Sequence, residues 1–202
     1  MYCFDFDGVI ADSRAVCLAA CEHACQVRGG ALGDADPFAT LDPLTFEAIA
    51  TQRGLDPAVF ARDVSDYVAS QPQVSTLIPG MGDALHALAE TAPLAIISAT
   101  HGKVLRRFLD AHDLAACFDH VIGGDAGLSK AEVLKRLADH AETRPTVMVG
   151  DAISDIRAAH AADLPCIAVT WGWQPRHMLT GADRIVSAPA DLLSTISELG
   201  AA

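Results

Sequence analysis

Between residues 79 and 199, short apolar runs alternate with stretches whose apolar residues recur every three or four positions. No other feature restricts the fold as much. The runs at 94–98, 120–122, 146–149 and 166–170, together with one at 2–6, have the length and composition of strands. Met81, Ala84, Leu85 and Leu88 mark one helical face, Val104, Leu105, Phe108 and Leu109 a second, and Val133, Leu134 and Leu137 a third. An alanine-rich stretch at 156–162 and the series Leu192, Leu193, Ile196 and Leu199 complete the set. Strands joined by helices build a parallel sheet, because each crossover lays its helix on one face of the sheet or the other.

Residues 14–78 break the alternation. They read as helix at 14–28, capped by Ser13 or Asp12, at about 43–53, and at 57–70 behind Asp56. Pro37, Pro43, Pro57, Pro72 and Pro79 punctuate the joins. The expected fold class is therefore α/β, a Rossmann-like, doubly wound parallel sheet with a small all-helical domain inserted after the first strand. The sheet domain takes residues 1–13 and 79–202, and the insert takes 14–78.

The net charge of −12 argues against nucleic acid as a partner, since a phosphate backbone needs a basic face. A small anionic ligand is still compatible, because a bound divalent ion can dominate the local field. No apolar stretch reaches the roughly 18–20 residues that span a bilayer, so no membrane role is expected. The first residues carry acids where a signal peptide would be basic and then apolar, so a cytoplasmic location is expected. Cys17, Cys21 and Cys25 recur every four residues along one side of a helix. That spacing matches neither a C-x-x-C pair nor a zinc finger, and small buried core residues are the simpler reading.

In an open parallel sheet, ligands bind at the carboxyl ends of the strands. Here the first strand runs into Asp5 and Asp7, with Gly8 allowing a sharp turn. The run at 94–97 ends in Ser98, and that at 146–149 ends in Gly150 and Asp151, with Asp155 a turn later. Lys130 opens the helix after the run at 120–122. If these strands are neighbours, several carboxylates, a hydroxyl and an ammonium meet at one place. Carboxylates that close repel, and a cation or a shared proton has to offset the repulsion. An all-oxygen set suits Mg²⁺. A carboxylate nucleophile beside a cation and a lysine points to phosphoryl transfer.

The ordered set Asp5-Phe6-Asp7-Gly8-Val9-Ile10 with Asp12-Ser13, then Ile97-Ser98, Lys130 and Gly150-Asp151 with Asp155 resembles the haloacid dehalogenase superfamily, in its capped phosphatase branch. The run Val169-Thr170-Trp171-Gly172-Trp173 and the helical insert resemble that branch too. The resemblance implies that Asp5 is the nucleophile and Asp7 the acid and base. Asp5, the backbone carbonyl of Asp7, Asp151 and Asp155 would hold Mg²⁺. Ser98, the backbone at Ala99 and Lys130 would take the phosphate of a small phosphorylated metabolite. Lys130 departs from the family's frequent Lys-Pro-x-Pro form, with Lys103 as the fallback, and Thr100 rivals Ser98. Asp7 argues against dehalogenation, and the absence of lysine from 14–78 argues against a phosphonate hydrolase of the family. Phosphatase chemistry leads, with a phosphomutase or a non-catalytic metabolite-binding module as alternatives. His23, Arg28, Arg53 and Arg62 on the insert read more simply as solvated helix residues than as specificity determinants, and Arg14 as easily as a surface cation. His101 reads as a helix cap.

Overall fold

The computed structural model describes residues 1–33, 36–140 and 144–200. Six strands form one parallel sheet: β1 (Tyr2–Phe4), β4 (Leu94–Ile97), β5 (His120–Ile122), β6 (Val147–Gly150), β7 (Cys166–Val169) and β8 (Arg184–Val186). Their spatial order is β5-β4-β1-β6-β7-β8. From β1 the chain winds outward to β4 and β5, then returns to the other side of β1 for β6, β7 and β8. The reversal puts a crevice beside the carboxyl end of β1.

Side chains alternate across the sheet as the two-residue strand period requires. Phe4, Leu94, Ile96, Val147, Val149 and Ile167 point to one face, where α4 (Met81–Ala89), α5 (Gly102–Ala111) and α8 (Leu192–Gly200) cover them. Cys3, Ala95, Met148, Cys166 and Ala168 point to the other, beneath α6 (Lys130–Ala138) and α7 (Ile153–His160). Leu85, Leu88, Leu105 and Phe108 seal the first layer, and Val133, Leu134 and Ala159 the second. At roughly 25 cal/mol per Å² of apolar surface withdrawn from water, such layers are the main stabilising contribution.

The helices α1 (Arg14–Gln26), α2 (Phe46–Gln52) and α3 (Pro57–Ser70) pack on one another around a separate apolar cluster containing Cys17, Cys21, Cys25, Phe38, Ile49, Phe60 and Val64. The three evenly spaced cysteines are thus buried core residues, and among the described residues none joins a group able to hold a metal. The helix expected over 14–28 ends at Gln26, because the Gly30 N–H turns back to the Cys25 carbonyl and Gly29 is left-handed.

Three elements, β2 (Ala11–Asp12), β3 (Thr76–Leu77) and β8, were not read as strands from the sequence. β2 and β3 pair antiparallel, with Ala11 opposite Leu77, and so clamp together the two ends of the helical segment. β8 (Arg184–Val186) pairs parallel with β7 at the edge of the sheet. No helix among the described residues is long and apolar enough to cross a membrane.

Candidate active site

β1 ends at Phe4, shorter than the strand expected over 2–6, because the chain folds into a tight loop there. The N–H groups of Ile10 and Ala11 both return to the Phe6 carbonyl, at 2.9 and 3.0 Å. Asp5 still pairs with the sheet, its N–H 2.9 Å from the Val149 carbonyl. The Phe6 N–H donates to Asp5 Oδ1 at 2.7 Å and pins that carboxylate. Gly8 turns the loop at φ +76°, and a Cβ there would lie 2.3 Å from Asp151 Oδ2, so both conformation and space require glycine.

Asp7 leans the other way. It accepts from Ser13 Oγ at 2.6 Å and from Thr100 Oγ1 at 2.5 Å, while the Ser98 hydroxyl accepts from the Thr100 N–H at 3.0 Å. Its side chain therefore stands apart from the carboxylates of Asp5, Asp151 and Asp155, whose ligand atoms all lie within 4.8 Å of one another.

Lys130 reaches into the cluster from the first position of α6. A capping box anchors that helix end, with Ser129 Oγ accepting from the Glu132 N–H and Glu132 accepting in return from the Ser129 N–H. Lys130 Nζ lies 2.8 Å from Asp5 Oδ2 and 2.5 Å from Asp155 Oδ1. The other oxygen of Asp155 accepts from the N–H groups of Asp151 and Ala152, at 3.2 and 3.1 Å. Asp151 Oδ2 accepts from the Trp173 N–H at 2.5 Å. Lys103, the fallback, is exposed on α5, and His101 caps that helix, its Nδ1 accepting from the Lys103 N–H.

Burial raises Asp5 to about 7. The Lys130 charge opposes the shift, while Asp155 and Asp7 add to it. Burial also raises Asp7, against the pull of its Ser13 and Thr100 hydrogen bonds. Asp151 is pushed well up by burial and by the charges of Asp155 and Asp5. For Lys130, burial works against the charge, but Asp155 and Asp5 outweigh it and hold the ammonium protonated. Among the described residues, Lys130 is the cation within ion-pair reach of these acids. One positive charge among three buried carboxylates, with the half-buried Asp7 beside them, leaves an excess that a bound cation would offset. Three converging carboxylates, with no nitrogen or sulfur donor, fit a hard divalent ion such as Mg²⁺.

Ser98, Ala99 and Thr100 line the mouth of the cleft above these acids. Sequence reasoning singled out neither Ser13 as a partner of Asp7 nor the glycines behind the acids. A Cβ at Gly150 would lie 2.3 Å from that of Asp155, and one at Gly172 would lie 2.2 Å from that of Asp151. The Trp171–Trp173 run proves to be a brace for the acidic loops: Trp171 Nε1 donates to the Val9 carbonyl at 3.1 Å, and Trp173 holds Asp151 through its N–H. Gly172→Ala is therefore expected to destabilise the fold by about 1–3 kcal/mol through overpacking. In thermal melts it should also shrink the stabilisation by added Mg²⁺, because Asp151 has to move.

A doubly wound sheet with an acid–lysine cluster at its switch point defines an α/β enzyme core. The chain belongs to the haloacid dehalogenase-like hydrolase family, whose profile matches residues 2–169. It is 31% identical to a phosphoglycolate phosphatase from Synechococcus elongatus, over 97% of this chain and 96% of that protein. Among solved structures it resembles a haloacid dehalogenase-like family hydrolase from Streptococcus pneumoniae, with a TM-score of 0.82 at 19% identity over 96% of both chains. CbbY from Rhodobacter sphaeroides, solved with xylulose-1,5-bisphosphate, shares the fold with a TM-score of 0.71 at 22% identity over 95% of both chains.

Proposed function

We propose that this hydrolase is a Mg²⁺-dependent phosphatase that cleaves a small phosphate monoester through an aspartyl-phosphate on Asp5. The observation that carries this reading is the unequal setting of the first two acids. Asp5 is pinned by the Phe6 N–H and paired with Lys130, whereas Asp7 has hydroxyl partners and, among the described residues, no ion pair. Two nearby carboxylates in different surroundings divide into two roles. The Asp5 carboxylate attacks phosphorus, and the bond to the leaving oxygen breaks as Asp7 protonates that oxygen. Asp7 then takes a proton from the water that attacks the aspartyl-phosphate, which releases inorganic phosphate and restores Asp5. Ser98, the Ala99 N–H and Lys130 hold the phosphate oxygens and stabilise the charge of the transition state.

Asp5, Asp151, Asp155 and the backbone carbonyl of Asp7 would hold Mg²⁺, which when bound supplies positive charge to the phosphate oxygens and the acids. The helical domain of residues 14–78 acts as a cap that excludes water, hinged where β2 pairs with β3, over a core domain of 1–13 and 79–202. The phosphatase names of the relatives support the reaction class.

The test is release of inorganic phosphate from a panel of phosphorylated metabolites. Activity should vanish with a chelator and return with Mg²⁺, and full activity in the chelator would overturn the metal assignment. A second readout needs no turnover. Mg²⁺ at about 100 times its dissociation constant should stabilise the fold by about 2.7 kcal/mol. Asp151→Asn should abolish that shift and raise the melting temperature of metal-free protein, because it removes a buried like charge.

A further inference from the structure

The cleft over the acid cluster encloses about 570 Å³, far more than a phosphate with a two-carbon acid attached requires. The wall contributed by the helical segment is mostly apolar, with Phe38, Pro43, Leu44, Phe46 and Ala61, and also carries the hydroxyls of Thr45 and Ser65. The acidic side chain on that wall is Glu47, in the first turn of α2. Two cationic side chains line the cleft, and both are engaged. Lys130 is held by Asp5 and Asp155, and the Arg157 guanidinium spans both oxygens of Asp42. Of the arginines of the helical segment, Arg14 pairs with Asp36 and the Trp173 carbonyl, Arg28 pairs with Asp63, and none of Arg14, Arg28, Arg53 and Arg62 lines the cleft. Trp173 adds a neutral donor, an indole Nε1–H that is buried and unpartnered, on a ring stacked against Phe38 at a centroid distance of 4.4 Å.

From this lining the geometry points to a substrate whose leaving group is an uncharged alcohol with an apolar face, not a carboxylate-bearing one. The inference rests on the phosphatase reading above and narrows it. A carboxylate in this cleft would lose water, meet no unengaged cation and face Glu47, so it is selected against by desolvation and by like charge. An apolar alcohol gains by covering Phe38, Phe46 and Leu44.

The experiment compares kcat/KM for benzyl phosphate, the phosphate ester of glycolamide and 2-phosphoglycolate, using the full chain with Mg²⁺. The last two are nearly the same in shape and differ in charge, the amide presenting a neutral NH₂ where the acid presents an anionic oxygen. Benzyl phosphate should exceed 2-phosphoglycolate by about tenfold or more, with the amide between them. Glu47→Lys should raise kcat/KM for 2-phosphoglycolate by about tenfold, through KM, and raise that for benzyl phosphate less. Glu47→Gln, which keeps the helix and removes only the charge, should shift it the same way by a smaller factor. A preference for 2-phosphoglycolate over both uncharged esters, or indifference of its KM to either Glu47 variant, overturns the inference and leaves the phosphatase reading standing. If none of the three esters is hydrolysed, the phosphatase reading fails and takes the inference with it.

Discussion

Asp5→Asn is expected to lower kcat/KM by about 10⁴-fold or more while leaving the fold in place. The effect is large because an amide does not form the acyl-phosphate, and removal of a nucleophile disables every later step. The fold should persist, because Asn keeps the shape of the side chain and its oxygen still accepts the Phe6 N–H that pins Asp5 at 2.7 Å. Asp155 remains beside Lys130 at 2.5 Å, so the ammonium is not left unpaired. Circular dichroism and thermal melts check the fold, and phosphate release checks the loss. Turnover within tenfold of the parent would remove Asp5 from the nucleophile's role.

Lys130→Met is expected to cost both stability and activity. The ammonium is the shared counter-charge of Asp5 and Asp155, and Asp155 has no exposed surface. Breaking such a buried pair from one side typically costs about 3–5 kcal/mol, because the remaining charge stays buried without its partner. Denaturant unfolding should show this as a lower midpoint with an unchanged slope. Adding Asp155→Asn should recover much of the lost stability, since the double variant no longer buries that carboxylate. Activity should stay low, because the lysine that takes the phosphate oxygens is still missing. A double variant no more stable than Lys130→Met would show that the lysine contributes through packing rather than charge.

Most of the sheet was legible because short apolar runs between helical patterns stand out on their own. The runs at 94–98, 120–122 and 166–170 needed no partner to be recognised, and strand–helix alternation implies a parallel, two-sided sheet whichever strands are neighbours. Asp5, Asp7, Asp151, Asp155 and Lys130 were singled out for a related reason: polar residues at or soon after the carboxyl ends of parallel strands have few other places to go than the ligand crevice. The first strand was read too long because Phe6 looks like strand in composition. Its carbonyl in fact collects the N–H groups of a tight loop, which is a local hydrogen-bonding choice that apolar periodicity does not report.

By itself, the sequence determined the layer architecture, the run of helices that follows the first strand and the chemical types gathered at the strand ends, all of which follow from patterns within a few residues of one another. Tertiary structure alone decided how those groups divide. Thr100 meets Asp7 from 93 positions away, Trp173 holds Asp151 from 22 away, and Gly172 and Gly8 admit Asp151 because neither carries a Cβ. Contacts of that kind depend on which strands lie side by side and how closely their loops approach. The reversal of strand order beside β1 brings them together, and no local periodicity encodes it.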